Sequence, residues 1–195
     1  MYLGVERAHI VGHSFGGAIA LQLAMDVPDM VHSLALLEPA LIAGESAAGY
    51  RDSLTRNIER YRELGAAVVL DEFLRARWPD YRTALEQSLP GAFDLAVTDA
   101  KTSFEGELPA LLDWLFGEAE ASHINQPTLS VLGGESDAHW PRFGETHRLL
   151  LAWLPNAEGF VVPVATHFMQ LQNPWGVAQA LANFWARHRI LSDAD

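Results

Sequence analysis

The first strand-length apolar run is Ala8–Gly12 (A-H-I-V-G), and Gly17 to about Val27 follows it with a helical pattern that stops near Pro28. In that stretch Leu21, Ala24 and Met25 fall on one helical face. Ser33–Glu38 (S-L-A-L-L-E), closed by Pro39, reads as a second buried strand. Near-continuous apolar runs separated by a helix are what parallel strands covered on both faces require. From about Gly44 to His123 the pattern changes: strand-like runs vanish and helical periodicity dominates. Leu54, Ile58, Tyr61 and Leu64 form an amphipathic stripe, and further helices are expected to end at Trp78-Pro79, at Leu89-Pro90-Gly91 and near Gly117.

Strand signals return at Gln126–Gly133, followed by a helix over about Arg142–Leu151, a strand at Gly159–Val164 and a last helix over about Trp175–His188. This order predicts an α/β fold: a parallel sheet with helices on both faces and a helical insertion. Residues 1–43 and 124–195 would form the core, and residues 44–123 the insertion.

Composition narrows the function classes. The 195 residues are 49% hydrophobic, enough to build a core, and their formal charge of −12 disfavours nucleic acid as a partner. The insertion carries 8 basic and 15 acidic residues, so more than half of the negative surplus lies there. The absence of cysteine excludes disulfides and thiol catalysis. No apolar run reaches the roughly 20 residues that span a bilayer, and no signal-peptide pattern precedes Ala8. The reading is therefore a cytoplasmic protein with no membrane partner, acting on a small molecule.

The chemistry centres on Gly12-His13-Ser14-Phe15-Gly16-Gly17. A serine in a tight turn between a strand and a helix projects its hydroxyl where a base can reach it. Flanking glycines suit a turn packed too closely for Cβ atoms. Such a serine needs a base to take its proton, normally a histidine, and a carboxylate to orient that histidine. His167 (A-T-H) follows the last predicted strand, and Asp137 (G-G-E-S-D) the one before it. Both stand at C-terminal strand ends, where open parallel sheets bind ligands. Glu38, ending the second strand, is the rival to Asp137 for the acid, but is expected instead to support the hinge into the insertion. His13 reads as structural; His139, two residues past Asp137, has a better claim to line the site but is not expected to. His9, His32, His123, His147 and His188 read as surface or packing residues. No H-E-x-x-H motif supports a metal, and no cofactor is indicated.

These motifs, in the order Ser14, Asp137, His167, resemble the α/β-hydrolase fold superfamily. The resemblance implies a serine hydrolase with a helical lid at the insertion and a Ser14–His167–Asp137 triad. The Phe15 backbone N–H would be one oxyanion donor. Activities that share the triad, namely esterase, carbon–carbon hydrolase, lactonase and cofactor-free haloperoxidase-type chemistry, stay open. So does a non-catalytic fragment or binding module. The resemblance further implies strands ahead of the elbow, whereas Met1–Arg7 reads as the tail of a helix. The expectation is therefore the C-terminal part of the fold without its N-terminal strands. The Ala8–Gly12 strand would present an unpaired edge prone to self-association, and a second oxyanion donor would be lacking.

Overall fold

The computed structural model describes residues 4–190. In chain order it comprises β1 (Ala8–His13), α1 (Phe15–Asp26), a 3-10 turn (Pro28–Met30), β2 (Val31–Leu37), α2 (Ala47–Leu64), α3 (Ala66–Arg77), α4 (Tyr81–Ser88) and α5 (Ala92–Thr102). A π-helical turn (Ser103–Glu107) follows, then α6 (Leu108–Asp113), α7 (Glu118–Ala121), β3 (Thr128–Gly133), α8 (Ser136–His139), α9 (Pro141–Trp153), β4 (Ala157–Val162), α10 (Met169–Gln172) and α11 (Pro174–Arg187). The chain divides into two compact units. One takes in the described residues up to Gly44 and from Phe116, the other Glu45–Leu115. No helix among the described residues is long and apolar enough to cross a membrane.

The first unit holds a parallel sheet in the order β1-β2-β3-β4. The last paired positions align: His13 with Leu37, Leu37 with Val131, Gly133 with Val162. This register brings the residues that follow β1, β2, β3 and β4 to one end of the sheet. On one face Ala35, Leu37, Leu129, Val131 and Val162 pack against Val177, Ala180 and Phe184 of α11. On the other, Ser130 of β3 bonds His147 of α9 at 2.8 Å. Helices thus cover both faces, as the apolar runs required.

Strand ends depart from the sequence pattern for local reasons. Glu38 leaves β2 because its backbone turns to φ 42°, and β4 stops at Val162 because Pro163 has no N–H and Val164 lies at φ 52°. Of the predicted N-terminal helix tail, residues 1–3 lie outside the described residues. Residues 4–7 are irregular and bent, with Gly4 in the left-handed region at φ 62°.

In the helical unit, Val69, Ala100 and Phe104 form a small core against which Tyr61 packs, its ring stacked 4.5 Å from Phe104. Leu54 and Ile58 are buried as the stripe predicted, whereas Leu64, beside the terminating Gly65, is exposed. The π-helical turn between α5 and α6 falls just before Pro109, which lacks the N–H that an α-helical ladder would need. Asp71 accepts from Tyr81 Oη at 2.5 Å and pairs with Arg75 and Arg82. Those three donors hold its carboxyl down at about 2, while burial and Asp71 push the Tyr81 hydroxyl up to about 12.

The glycines around Ser14 are not equivalent. A Cβ on Gly12 would meet the Gly16 carbonyl carbon at 2.6 Å, and one on Gly17 would meet Pro39 Cα at 2.8 Å, while Gly16 has open space. Close approach of α1 to β1 and to Pro39 therefore requires Gly12 and Gly17, but not Gly16. Gly12→Ala and Gly17→Ala should each destabilise the fold by about 2 kcal/mol or more. Gly16→Ala should be neutral or gain up to about 1 kcal/mol. Urea unfolding of the three variants checks this ranking, and a Gly16 variant as damaged as the others would contradict it.

Candidate active site

One residue separates β1 from α1. Ser14 lies at φ 53°, ψ −121°, a conformation that costs a non-glycine residue about 1–3 kcal/mol. Three backbone hydrogen bonds hold it there: Ser14 N–H to Leu37 O at 3.1 Å, Gly17 N–H to Ser14 O at 2.9 Å, and Ala40 N–H to Ser14 O at 2.8 Å. The elbow is thus anchored on both sides of Glu38. Phe15 opens α1, so its N–H has no partner within the helix and stands at the positive end of the helix dipole.

His167 lies in the loop between β4 and α10, and both it and Glu38 are only 2% exposed. Its Nδ1 is 2.8 Å from Glu38 Oε2, and Glu38 Oε1 accepts from Gly133 N–H at 2.8 Å. A carboxylate can only accept, so His167 carries its proton on Nδ1 and leaves Nε2 as a base. The imidazole is packed between rings: Phe143 stacks at 4.6 Å with 22° between planes, and His13 lies at 4.6 Å. His13 Nε2–H donates to the His167 carbonyl at 2.7 Å, which ties the elbow directly to the histidine loop. The same tautomer logic makes His13 Nδ1 an acceptor, with Gln170 Nε2 at 3.4 Å.

His167 bonds Glu38, and the backbone at Ser14, with Phe15 next to it, joins this pair through Ser14 N–H on Leu37 and the His13 bond to the His167 loop. Asp137 does not join them. It lies in α8, its side chain 47% exposed, and pairs with Arg148 Nη1 of α9 at 3.5 Å. Its carboxylate sits over Gly144 of α9, within 2.7 Å of where a Cβ would stand. The loop after β3 spends its backbone on the site rather than its acid: Gly133 N–H goes to Glu38, and the chain then turns into α8, carrying Asp137 to α9. The signal for Glu38 was present in the sequence. A carboxylate ending an otherwise apolar strand must find buried donors or be expelled. His139 lies against Trp140, with ring centres 5.5 Å apart. His9, His32 and His188 gather at the opposite end of the sheet, where His9 bonds Ser33 at 2.7 Å and His32 Nε2 bonds the His188 carbonyl at 3.1 Å. Among the described residues, no group of three or more His, Asp or Glu is arranged to hold a metal ion.

Burial raises the Glu38 carboxyl above its ordinary value. The Ser136 hydroxyl, the Gly133 N–H, His13 and Arg142 pull it back. The buried Ser136 hydroxyl acts on Glu38 without meeting hydrogen-bond geometry with any partner. Burial and the neighbouring His167 drive His13 down to about 4, so His13 is neutral near pH 7 and adds no charge beside His167.

Comparison with known proteins agrees with this architecture. The model of the alpha/beta hydrolase family matches residues 2–180. The chain is 28% identical over 193 residues to a 2-hydroxymuconate semialdehyde hydrolase of Pseudomonas putida, covering 94% of this chain and 64% of that protein. It is 27% identical over 203 residues to a 2-hydroxy-6-oxononadienedioate/2-hydroxy-6-oxononatrienedioate hydrolase of Pseudomonas sp, covering 95% and 65%. The chain thus spans just under two thirds of these curated relatives. Among solved structures it is similar in fold to MGS-M2, an alpha/beta hydrolase from a Medee basin deep-sea metagenome library. The TM-score is 0.75 at 19% identity, over 98% of this chain and 70% of that one.

A raised carboxyl pKa means that the folded protein keeps the proton longer than the unfolded chain does. Stability from this group is full at low pH and is lost as pH rises through the folded value. Glu38→Gln removes the ionisation, so its melting temperature relative to wild type should be more favourable at pH 8 than at pH 5. Thermal unfolding at the two pH values checks the sign, and an equal or reversed difference contradicts it.

Proposed function

The chain belongs to the alpha/beta hydrolase family, and from that premise we propose that it is a serine hydrolase of a small acyl compound, working through Ser14, His167 and Glu38. The observation that carries this reading is the buried 2.8 Å bond between Glu38 and His167 Nδ1, tied through His13 to the strained turn at Ser14.

Ser14 Oγ attacks the acyl carbon while His167 Nε2 takes its proton. The ionised Glu38 fixes the Nδ1–H tautomer and stabilises the imidazolium that forms. The Phe15 N–H donates to the developing oxyanion, where a preorganised donor is typically worth about 2.7–4 kcal/mol. His167 then protonates the leaving group, and water, activated by the same imidazole, hydrolyses the acyl-enzyme. Neutral His13 keeps positive charge away from the base, and Phe143 excludes water from one face of the ring.

An apolar ester is the simplest substrate for such a site. Carbon–carbon bond hydrolysis is the second reading, favoured because the two curated relatives are named as hydrolases of 2-hydroxymuconate semialdehyde and of a 2-hydroxy-6-oxo dienedioate. Turnover of p-nitrophenyl butyrate against 2-hydroxymuconate semialdehyde separates the two.

The test of the site is covalent. A fluorophosphonate probe should label the folded protein, and Ser14→Ala should abolish labelling. Glu38→Gln should lower kcat on p-nitrophenyl butyrate about 10²–10⁴-fold, while Asp137→Asn stays within about threefold of wild type, because Asp137 pairs with Arg148 instead. The reverse pattern would return the acid to Asp137. A folded sample that takes no label would favour a binding module.

A further inference from the structure

The last residue of β3 and the three that follow it act together on the candidate site. Gly133 N–H donates to Glu38 Oε1 at 2.8 Å, Gly134 N–H to the Val162 carbonyl at 2.8 Å, and Glu135 N–H to the Ala165 carbonyl at 2.9 Å. The first bond holds the acid, and the other two hold the loop that carries His167. Ser136 comes next. Its side chain is wholly buried at 0% exposure, and its hydroxyl lacks a partner of good geometry. A buried hydroxyl left unpaired costs about 1–3 kcal/mol, so its place beside an anion requires an account.

Two observations locate it. Ser136 Oγ lies 2.8 Å from the point where a Cβ on Gly133 would stand, so it borders the residue whose N–H grips Glu38. Glu38 Oε1 and Oε2 each accept one bond from Gly133 and His167, which leaves lone pairs free on a carboxylate that can accept about four. A change of Ser136 rotamer or of the Glu38 carboxylate would be needed to bring the two into hydrogen-bond geometry. The competing acceptors are the Ala165 and Thr166 carbonyls, which also border Gly133.

We propose that Ser136 is a positioning residue for the candidate site, its hydroxyl serving as a third hydrogen-bond donor to Glu38 beside the Gly133 N–H and the His167 Nδ1–H. The inference rests on the reading of Glu38 as the acid of the triad. A third donor offsets the burial of the carboxylate and keeps it charged and aimed at His167. It also gives the loop after β3 a complete role around the acid, although its own aspartate points elsewhere.

The pH profile separates this role from simple packing. The second-order rate of fluorophosphonate labelling of Ser14 is measured from pH 5 to 9 for wild type, Ser136→Ala and Glu38→Gln. Losing a donor makes the carboxylate hold protons more tightly, so the acidic midpoint should move up by about 0.5–1 unit. Labelling by Ser136→Ala would then fall roughly 3–10-fold at pH 5.5, yet stay within about twofold at pH 8.5. An unmoved midpoint, or an equal loss at every pH, overturns the proposal and assigns the hydroxyl to a loop carbonyl. Wild-type labelling by Glu38→Gln would instead overturn the reading of the acid. If Ser136→Ala does not fold, Ser136→Cys, similar in size and a weaker donor, should show a smaller upward shift; an unmoved midpoint there overturns the proposal equally.

Discussion

A carboxylate enclosed in a protein interior stays charged only if donors replace the water it has lost, and Glu38 is such a group, 2% exposed at the end of an apolar strand. The surrounding architecture supplies those donors. Parallel register aligns the ends of β1 to β4, so the β3 backbone reaches Glu38 through Gly133, and the loop after β4 reaches it through His167. Without that register the charge would have no partner and the histidine no fixed tautomer. The low-dielectric setting that makes the pair costly also makes its orientation firm.

Strain is concentrated at the same end of the sheet. Among the described residues, the non-glycine positions with positive φ are Ser14, Glu38 and Val164, each just beyond a strand. Each is clamped from more than one direction. Ser14 is held by Leu37 and Ala40, and Glu38 N–H bonds the Val131 carbonyl at 3.0 Å. The turn at Val164 is braced by Asn173 Nδ2 on the Pro163 carbonyl at 2.9 Å and by Gln172 on the Thr166 N–H at 2.7 Å. Strain persists only where the surroundings over-determine it. Here those surroundings are the three loops that carry the candidate nucleophile, acid and base.

Much of this was legible in the residues. Apolar runs such as S-L-A-L-L-E and T-L-S-V-L-G are long enough and bare enough of charge to specify buried parallel strands, and glycines around Ser14 specified a tight turn. What could not be read was where side chains point once a loop curls. Asp137 and Glu38 both follow a strand, and their sequence surroundings favour the aspartate in its glycine-rich loop. The choice turns on a left-handed backbone at Glu38 and on a short helix that carries Asp137 to Arg148, neither of which spacing encodes. The difference between Gly12 and Gly16 was hidden for the same reason, since only the packing of α1 tells which glycine meets a wall.

The central claim is that Glu38, not Asp137, accepts the Nδ1 proton of His167. Proton NMR reads this bond directly, because an imidazole N–H bonded to a buried carboxylate gives a far-downfield signal protected from exchange with water. The account predicts one such resonance, assigned to His167 by its loss in His167→Ala, that disappears in Glu38→Ala and survives in Asp137→Ala. Its survival in the Glu38 variant together with its loss in the Asp137 variant would contradict the account.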